Sequence, residues 1–291
     1  MRKEREGDEG EEVMSRMSGR RWGAVLAALA LVACSTVRTT QSGVVGVERE
    51  QTMLVSNAEV NKQANSAYRE TLKRANQKNL LNQDSAQLER VRGVAYRLIP
   101  ATAAFRPDAP GWRWEVNVLT AKDVNAWCMP GGKIAVFTGL LDKLHPNDDE
   151  LAAVMAHEIA HALREHGREK ASQSVGVNVA AGLGGILLAI FTGVDPGVGQ
   201  NLLGAVGDLA FMRPNSREME QEADRVGVEL AARAGYDPHG AVTLWEKMRK
   251  VSDGQPPQWL STHPSHESRI ADLSVYADRV EPLYKAASHH P

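Results

Sequence analysis

Between Leu151 and Leu163 the chain is apolar at every position except His157, Glu158 and His161. Asn147-Asp148-Asp149-Glu150, just before this run, supplies an N-cap and an acidic first turn, so the spacing predicts a helix extending to about His166. Residues at i and i+4 of an α-helix lie about 40° apart and one turn along. Both imidazoles therefore emerge on one side and can hold a single zinc ion at about 2.0–2.1 Å. Glu158 projects beside them, where it can take a proton from a metal-bound water without being a ligand. In so apolar a helix these groups are buried, and burial without a metal or hydrogen-bond partner would be costly.

A catalytic zinc needs a third protein ligand and keeps its fourth position for water. The best stretch for it is Ser216-Arg217-Glu218-Met219-Glu220-Gln221-Glu222-Ala223-Asp224, itself helical in pattern. Glu220 and Asp224 share one face, which suits one carboxylate on the metal and one accepting the free ring N–H of a ligand histidine. Glu218 and Glu222 share another face, about 160° away, and read as solvated. Spacing alone leaves the choice between the two pairs open. His145, His166, His239, His266, His289 and His290 lack ligand spacing to a partner and read as surface residues.

Elsewhere the pattern is that of one large folded unit. Of the 291 residues 43% are hydrophobic and 24% charged, too apolar a mix for disorder. The 34 basic and 36 acidic residues nearly cancel, so no basic footprint for nucleic acid exists. From Asn57 to Leu98 apolar residues recur at helical spacing and predict two amphipathic helices. A loop follows from Pro100 to Gly111. Trp112, Trp114, Val116 and Val118 then alternate with polar residues as in a half-buried strand. Two further strands fit Ala126–Met129 and Lys133–Thr138, joined by Pro130-Gly131-Gly132. Val175 to Val194 has no charged residue, the length of a transmembrane helix, yet holds five glycines. A helical hairpin against the core or the membrane surface is favoured over a span.

The N-terminus reads as a leader. Arg20 and Arg21 precede the apolar run Trp22–Val32, which ends at Ala33-Cys34. This is a secretory signal over residues 1–33, with Met17 a better start than Met1, and the end of it resembles a bacterial lipobox. A lipid on Cys34 would hold the protein at a membrane, with Ser35 pointing to the outer one, and residues 34–56 would form a tether. Cys128 is then the remaining thiol, and no intramolecular disulfide can form.

Asn125-Ala126-x-x-x-Pro130-Gly131-Gly132, His157–His161, Ser216-Arg217 and Glu220-x-x-Ala223-Asp224, in that order along the chain, resemble the zinc metallopeptidases related to HtpX and the CAAX prenyl protease. Within them the chain is similar to the periplasmic branch that includes BepA, LoiP and the Oma peptidases, over about residues 55–280. The resemblance implies an α+β, mostly helical, zincin-like domain over residues 57–285, with a small sheet whose edge strand flanks the active-site helix. It implies one zinc per chain on His157, His161 and Glu220, Glu158 as general base, and Asp224 supporting a ligand histidine. It further implies that His263 can cap the zinc in a latent state, that Arg269 can support the site, and that Gly131, Gly132, Lys133, Ile134, Ala135 and Val136 belong to an edge strand that pairs with extended substrate. The expected activity is endopeptidase cleavage of unfolded or misassembled envelope proteins in the periplasm. The alternative is a chaperone-like polypeptide-binding protein with a latent or structural zinc site. Two departures stand out: Cys128 replaces a small or apolar residue near the substrate strand, and no TPR array follows.

Overall fold

The computed structural model describes residues 36–178, 214–250, 258–263 and 268–288. The expected signal, Cys34 and all but the first residues of 175–194 lie outside them. In chain order the elements are β1 (Thr36–Val37), β2 (Gln51–Thr52), α1 (Asn57–Gln77), α2 (Ser85–Ala101), β3 (Glu115–Leu119), β4 (Ala126–Met129) and β5 (Lys133–Phe137). Then come α3 (Thr138–Leu144), α4 (Asp148–Leu163), α5 (His166–Asn178), α6 (Arg217–Arg233), α7 (Gly240–Lys250), α8 (Gln258–Thr262) and α9 (Arg269–Ser288). The domain is thus mostly helical with two small sheets, as expected. Among the described residues, no helix is long and apolar enough to cross a membrane.

The helix α4 is the centre of the molecule. Asn147 accepts from the Glu150 N–H while the Glu150 carboxylate accepts from the Asn147 N–H, so the first turn is closed by a reciprocal cap. From Glu150 to Leu163 every residue is buried, as a helix apolar all round requires. α2, α6, α7 and β4 pack around it. At one point the approach is very close: a Cβ on Gly227 of α6 would stand 2.9 Å from the backbone nitrogen of His157. The missing side chain lets α6 lie on α4 there, bringing Glu220 and Asp224 to the histidines.

The three-stranded sheet has the order β3-β5-β4. β5 runs parallel to β3, Glu115 opposite Lys133, and antiparallel to β4, Ala126 opposite Val136. The expectation that Lys133–Val136 form the substrate-binding edge is therefore corrected, because pairing on both sides uses the backbone groups of β5. Gly131 and Gly132 are in the hairpin turn, both with positive φ (79° and 81°). The strand edge beside α4 is β4. Phe137 N donates to Asn125 O, and the alternation that follows turns the main-chain groups of Cys128 away from β5.

Two further expectations change. Residues 36–56 do not hang as a tether: Val45, Val47 and Met53 are buried in the domain, and Gln51 is fully so. Arg49 of this segment pairs with the buried carboxylates of Glu169 and Glu222, and Gln51 donates to Glu169. The active-site helix also stops earlier than expected, at Leu163. Glu165 takes a left-handed φ of 51°, and α5 restarts at His166. That break is held by three donors on the Glu165 carboxylate, Asn57 at 2.6 Å, Arg106 at 2.6 Å and Arg168 at 2.7 Å.

Candidate metal centre

α4 presents His157 and His161 on one side, with their Nε2 atoms 3.0 Å apart. From α6, Glu220 brings Oε1 to 3.4 Å from His161 Nε2 and Oε2 to 3.5 Å from His157 Nε2. His263, just beyond α8, places Nδ1 3.2 Å from His157 Nε2 and 3.0 Å from Glu220 Oε1. The four residues are buried, and one donor atom from each lies within 4.8 Å of the others. Ligands of a tetrahedral zinc at about 2.0–2.1 Å stand about 3.3 Å from one another. Three imidazole nitrogens and a carboxylate facing inward at 3.0–3.5 Å fit that shell, and one zinc ion is the cofactor this donor set suits.

Burial and the facing carboxylates move the two imidazoles of α4 in opposite directions. Burial works against protonation of His157, yet the Asp224 and Glu220 carboxylates overcome it and raise its pKa to about 9. Burial holds His161 well below the ordinary histidine value despite Glu220. Glu220, fully buried, is driven well below the carboxylate range, because the facing histidines outweigh its desolvation.

Around the donors stands a layer of braces. Asp224 Oδ1 is 3.0 Å from His157 Nδ1, although out of line for a full hydrogen bond. Arg269, 1% exposed, donates to Glu220 Oε2 at 3.0 Å and to Asp224 Oδ1 at 2.7 Å, and lies over the Trp245 ring at 4.0 Å. Asn215 Nδ2 donates to Glu220 Oε1 at 2.7 Å and is itself fixed by Lys170 at 2.6 Å. Glu158 lies to one side of the cluster. Its Oε1 accepts from Trp259 Nε1 at 2.7 Å and is 3.4 Å from His263 Nε2. His263 is therefore in contact with both the metal position and the carboxylate.

Every site residue predicted on α4, α6, α9 and the His263 loop thus converges here, while Lys133–Val136 lie inside the sheet and Cys34 is outside the described residues. Between β4 and α4 runs a cleft lined by Trp127, Cys128, Met129 and Pro130 on the strand side, and by Glu158, His161 and Ala162 on the helix side. Burial and the Glu158 carboxylate push the Cys128 thiol pKa up, so the thiol stays protonated.

Sequence reading missed several members. Trp259 precedes His263 by one helical turn, and the two rings stack at 4.6 Å; that i, i+4 spacing was a usable signal. His166 is 1% exposed, not a surface residue, and its Nδ1 lies 2.7 Å from His161 Nδ1. Glu222 is also buried rather than solvated: it receives His166 Nε2 at 3.0 Å, Arg164 at 2.9 Å and Arg49 at 2.5 Å. Glu218 is the exposed one of that pair. No local pattern announced these contacts.

Residues 85–277 match the profile described as peptidase family M48. The chain is 36% identical over 206 residues to the mitochondrial metalloendopeptidase OMA1 of Bos taurus, covering 67% of this chain and 38% of that protein. It is 39% identical over 159 residues to the mitochondrial metalloendopeptidase OMA1 of Arabidopsis thaliana, covering 55% of this chain and 30% of that one. To the beta-barrel assembly-enhancing protease of Escherichia coli K12 it is 34% identical over 180 residues, 59% of this chain and 36% of the relative. The chain thus matches well under half the length of each of these relatives.

Proposed function

We propose, from the premise that the chain belongs to peptidase family M48, that it is a zinc-dependent endopeptidase acting on unfolded or misassembled polypeptides of the cell envelope. The observation that carries this reading is the four-donor cluster with a carboxylate at its side. His157, His161 and Glu220 would hold the zinc. When bound, the metal would polarise a scissile carbonyl and lower the pKa of a coordinated water. Glu158 would take a proton from the attacking water and pass it to the leaving amine; Trp259 fixes its Oε1 side, leaving Oε2 for the transfer. Asp224 and Arg269 orient His157 and Glu220. The edge of β4 that no strand covers pairs with an extended peptide through the main chain at Cys128, which makes recognition tolerant of sequence.

His263 acts as the latent-state cap. Its ring stands at the fourth metal position and against Glu158, so one side-chain movement frees both the water site and the base. The cap also favours a second reading, a polypeptide-binding protein with a permanently closed zinc site, since closed four-ligand shells are structural ones.

The likeness to the beta-barrel assembly-enhancing protease supports placing the substrates in an envelope. With it go a leader over 1–33, a lipid on Cys34, attachment to an outer membrane in the periplasm, and membership of the branch related to HtpX and the CAAX prenyl protease. Because residues 36–56 pack with the rest, the peptidase domain is taken to run from there to about residue 285.

The test compares zinc-loaded wild-type and Glu158→Gln protein on casein and on an unfolded envelope protein. Cleavage by the wild type, reduced at least about 10²–10⁴-fold in Glu158→Gln at unchanged zinc content, is the expected outcome. If both forms protect the substrate equally and neither cuts it, the binding-protein reading stands instead.

A further inference from the structure

When an imidazole binds zinc through one ring nitrogen, the other carries a proton, and the group that takes that proton's hydrogen bond fixes the ring. For His161, Nε2 faces the cluster, so Nδ1 is the protonated atom. The acceptor 2.7 Å away is Nδ1 of His166. His166 must then be neutral, with its own proton on Nε2, and that nitrogen is 3.0 Å from Glu222 Oε2. Glu222 is charged and doubly clamped. Arg164, with 1% of its side chain exposed, donates to it at 2.9 and 3.0 Å, and Arg49 donates at 2.5 Å to Oε1 while also gripping Glu169.

We propose that His166 is a positioning residue for the metal ligand His161, and that the segment at 36–56 is part of the metal centre through Arg49, which holds the Glu222 end of this relay. Three observations support it beyond the distances. The left-handed turn at Glu165 is a strained conformation, and its consequence is to point His166 back at His161 rather than onward along the helix. Thr39 and Gln51 both donate to the Arg164 carbonyl, at 3.2 and 2.7 Å, so the segment grips the same turn through its backbone as well. Finally, with Nε2 of His161 turned to the metal position, the tautomers stated give every other ring nitrogen of these two buried histidines a partner.

The inference rests on the metal-centre reading, and the experiment separates the two. Zinc affinity is measured by competition with a colorimetric chelator for the wild type, His166→Leu, His166→Asn and Arg49→Met, with the melting curve of each zinc-free protein alongside. His166→Leu is expected to weaken zinc about 10–100-fold. His166→Asn, whose amide oxygen can accept where Nδ1 did, recovers most of that loss, and Arg49→Met falls between it and Leu. Should His166→Leu fail to fold, the Asn and Arg49→Met proteins decide the matter. The proposal is overturned if His166→Leu binds zinc as the wild type does, or if Asn is no better than Leu, which would reduce the ring to a space-filler. A wild type that takes up no zinc sinks the metal-centre reading itself.

Discussion

His157 and His161 sit one turn apart on the same helix, yet they are braced by different means. His157 faces Asp224, a carboxylate one turn along α6 from Glu220, and Arg269 ties the two carboxylates together. His161 reaches its carboxylate only through a second imidazole, and that carboxylate, Glu222, is held by Arg164 and by Arg49 from the far N-terminal side. The His157 side is therefore a compact ion cluster in which each charge has a neighbour of opposite sign. The His161 side is a chain, whose far end is part-exposed: Arg49 keeps 22% of its side chain accessible. The difference teaches that one side resists perturbation as a block, while the other can be loosened from a distance.

Removing the arginine of the block should have the largest effect. Arg269→Met takes the guanidinium from two buried carboxylates and should destabilise the zinc-free protein by about 3–5 kcal/mol, read in a denaturant titration. A small loss would mean that the His157 side is no more tightly knit than the other.

Glu222→Gln should cost less, about 1.5–3 kcal/mol, because Arg49 retains Glu169. It should also change the pH dependence. Although burial opposes it, the His166 and Arg49 hydrogen bonds hold the Glu222 carboxyl down to about 2. A depressed carboxyl stabilises fully above its unfolded value, about 4.3, and loses that stabilisation as pH falls through the folded value. Wild-type stability should therefore fall between about pH 4.5 and 2 more steeply than that of Glu222→Gln. Parallel acid curves would show that the relay carries no net charge stabilisation.

The smallest effect comes from the element common to both sides. Asn147→Ala removes the side-chain half of the α4 cap and should cost about 1 kcal/mol. Zinc affinity should not change, since neither brace is touched; a selective loss would indicate that the helix start governs ligand geometry.

The same contrast accounts for what could be read beforehand. The His157 side rests on repeats that the chain spells out locally: i, i+4 for His157 and His161, and i, i+4 again for Glu220 and Asp224. The His161 side needs a helix that breaks at Glu165, and a non-glycine residue with positive φ leaves no trace in a hydrophobic pattern. His166 read as a surface residue because it has no ligand spacing to a partner along the chain, and its partners come from elsewhere in the fold. Glu222 read as solvated because its face was judged without the segment that covers it. In the sheet, the hairpin of β4 and β5 was legible from Pro130-Gly131-Gly132, but which strand lies at the edge depended on where β3 enters, and it enters beside β5.

By itself, then, the sequence determined the helices, the hairpin and the shared face of His157 and His161, because side-chain direction in a helix or strand follows from its fixed period. The tertiary structure alone decided which strands lie at the sheet edges, that His166 turns to His161, and that Arg49, more than a hundred residues before these histidines, grips the carboxylate behind them. Those outcomes depend on which buried charges find partners when distant parts of the chain pack together, and no local spacing encodes that.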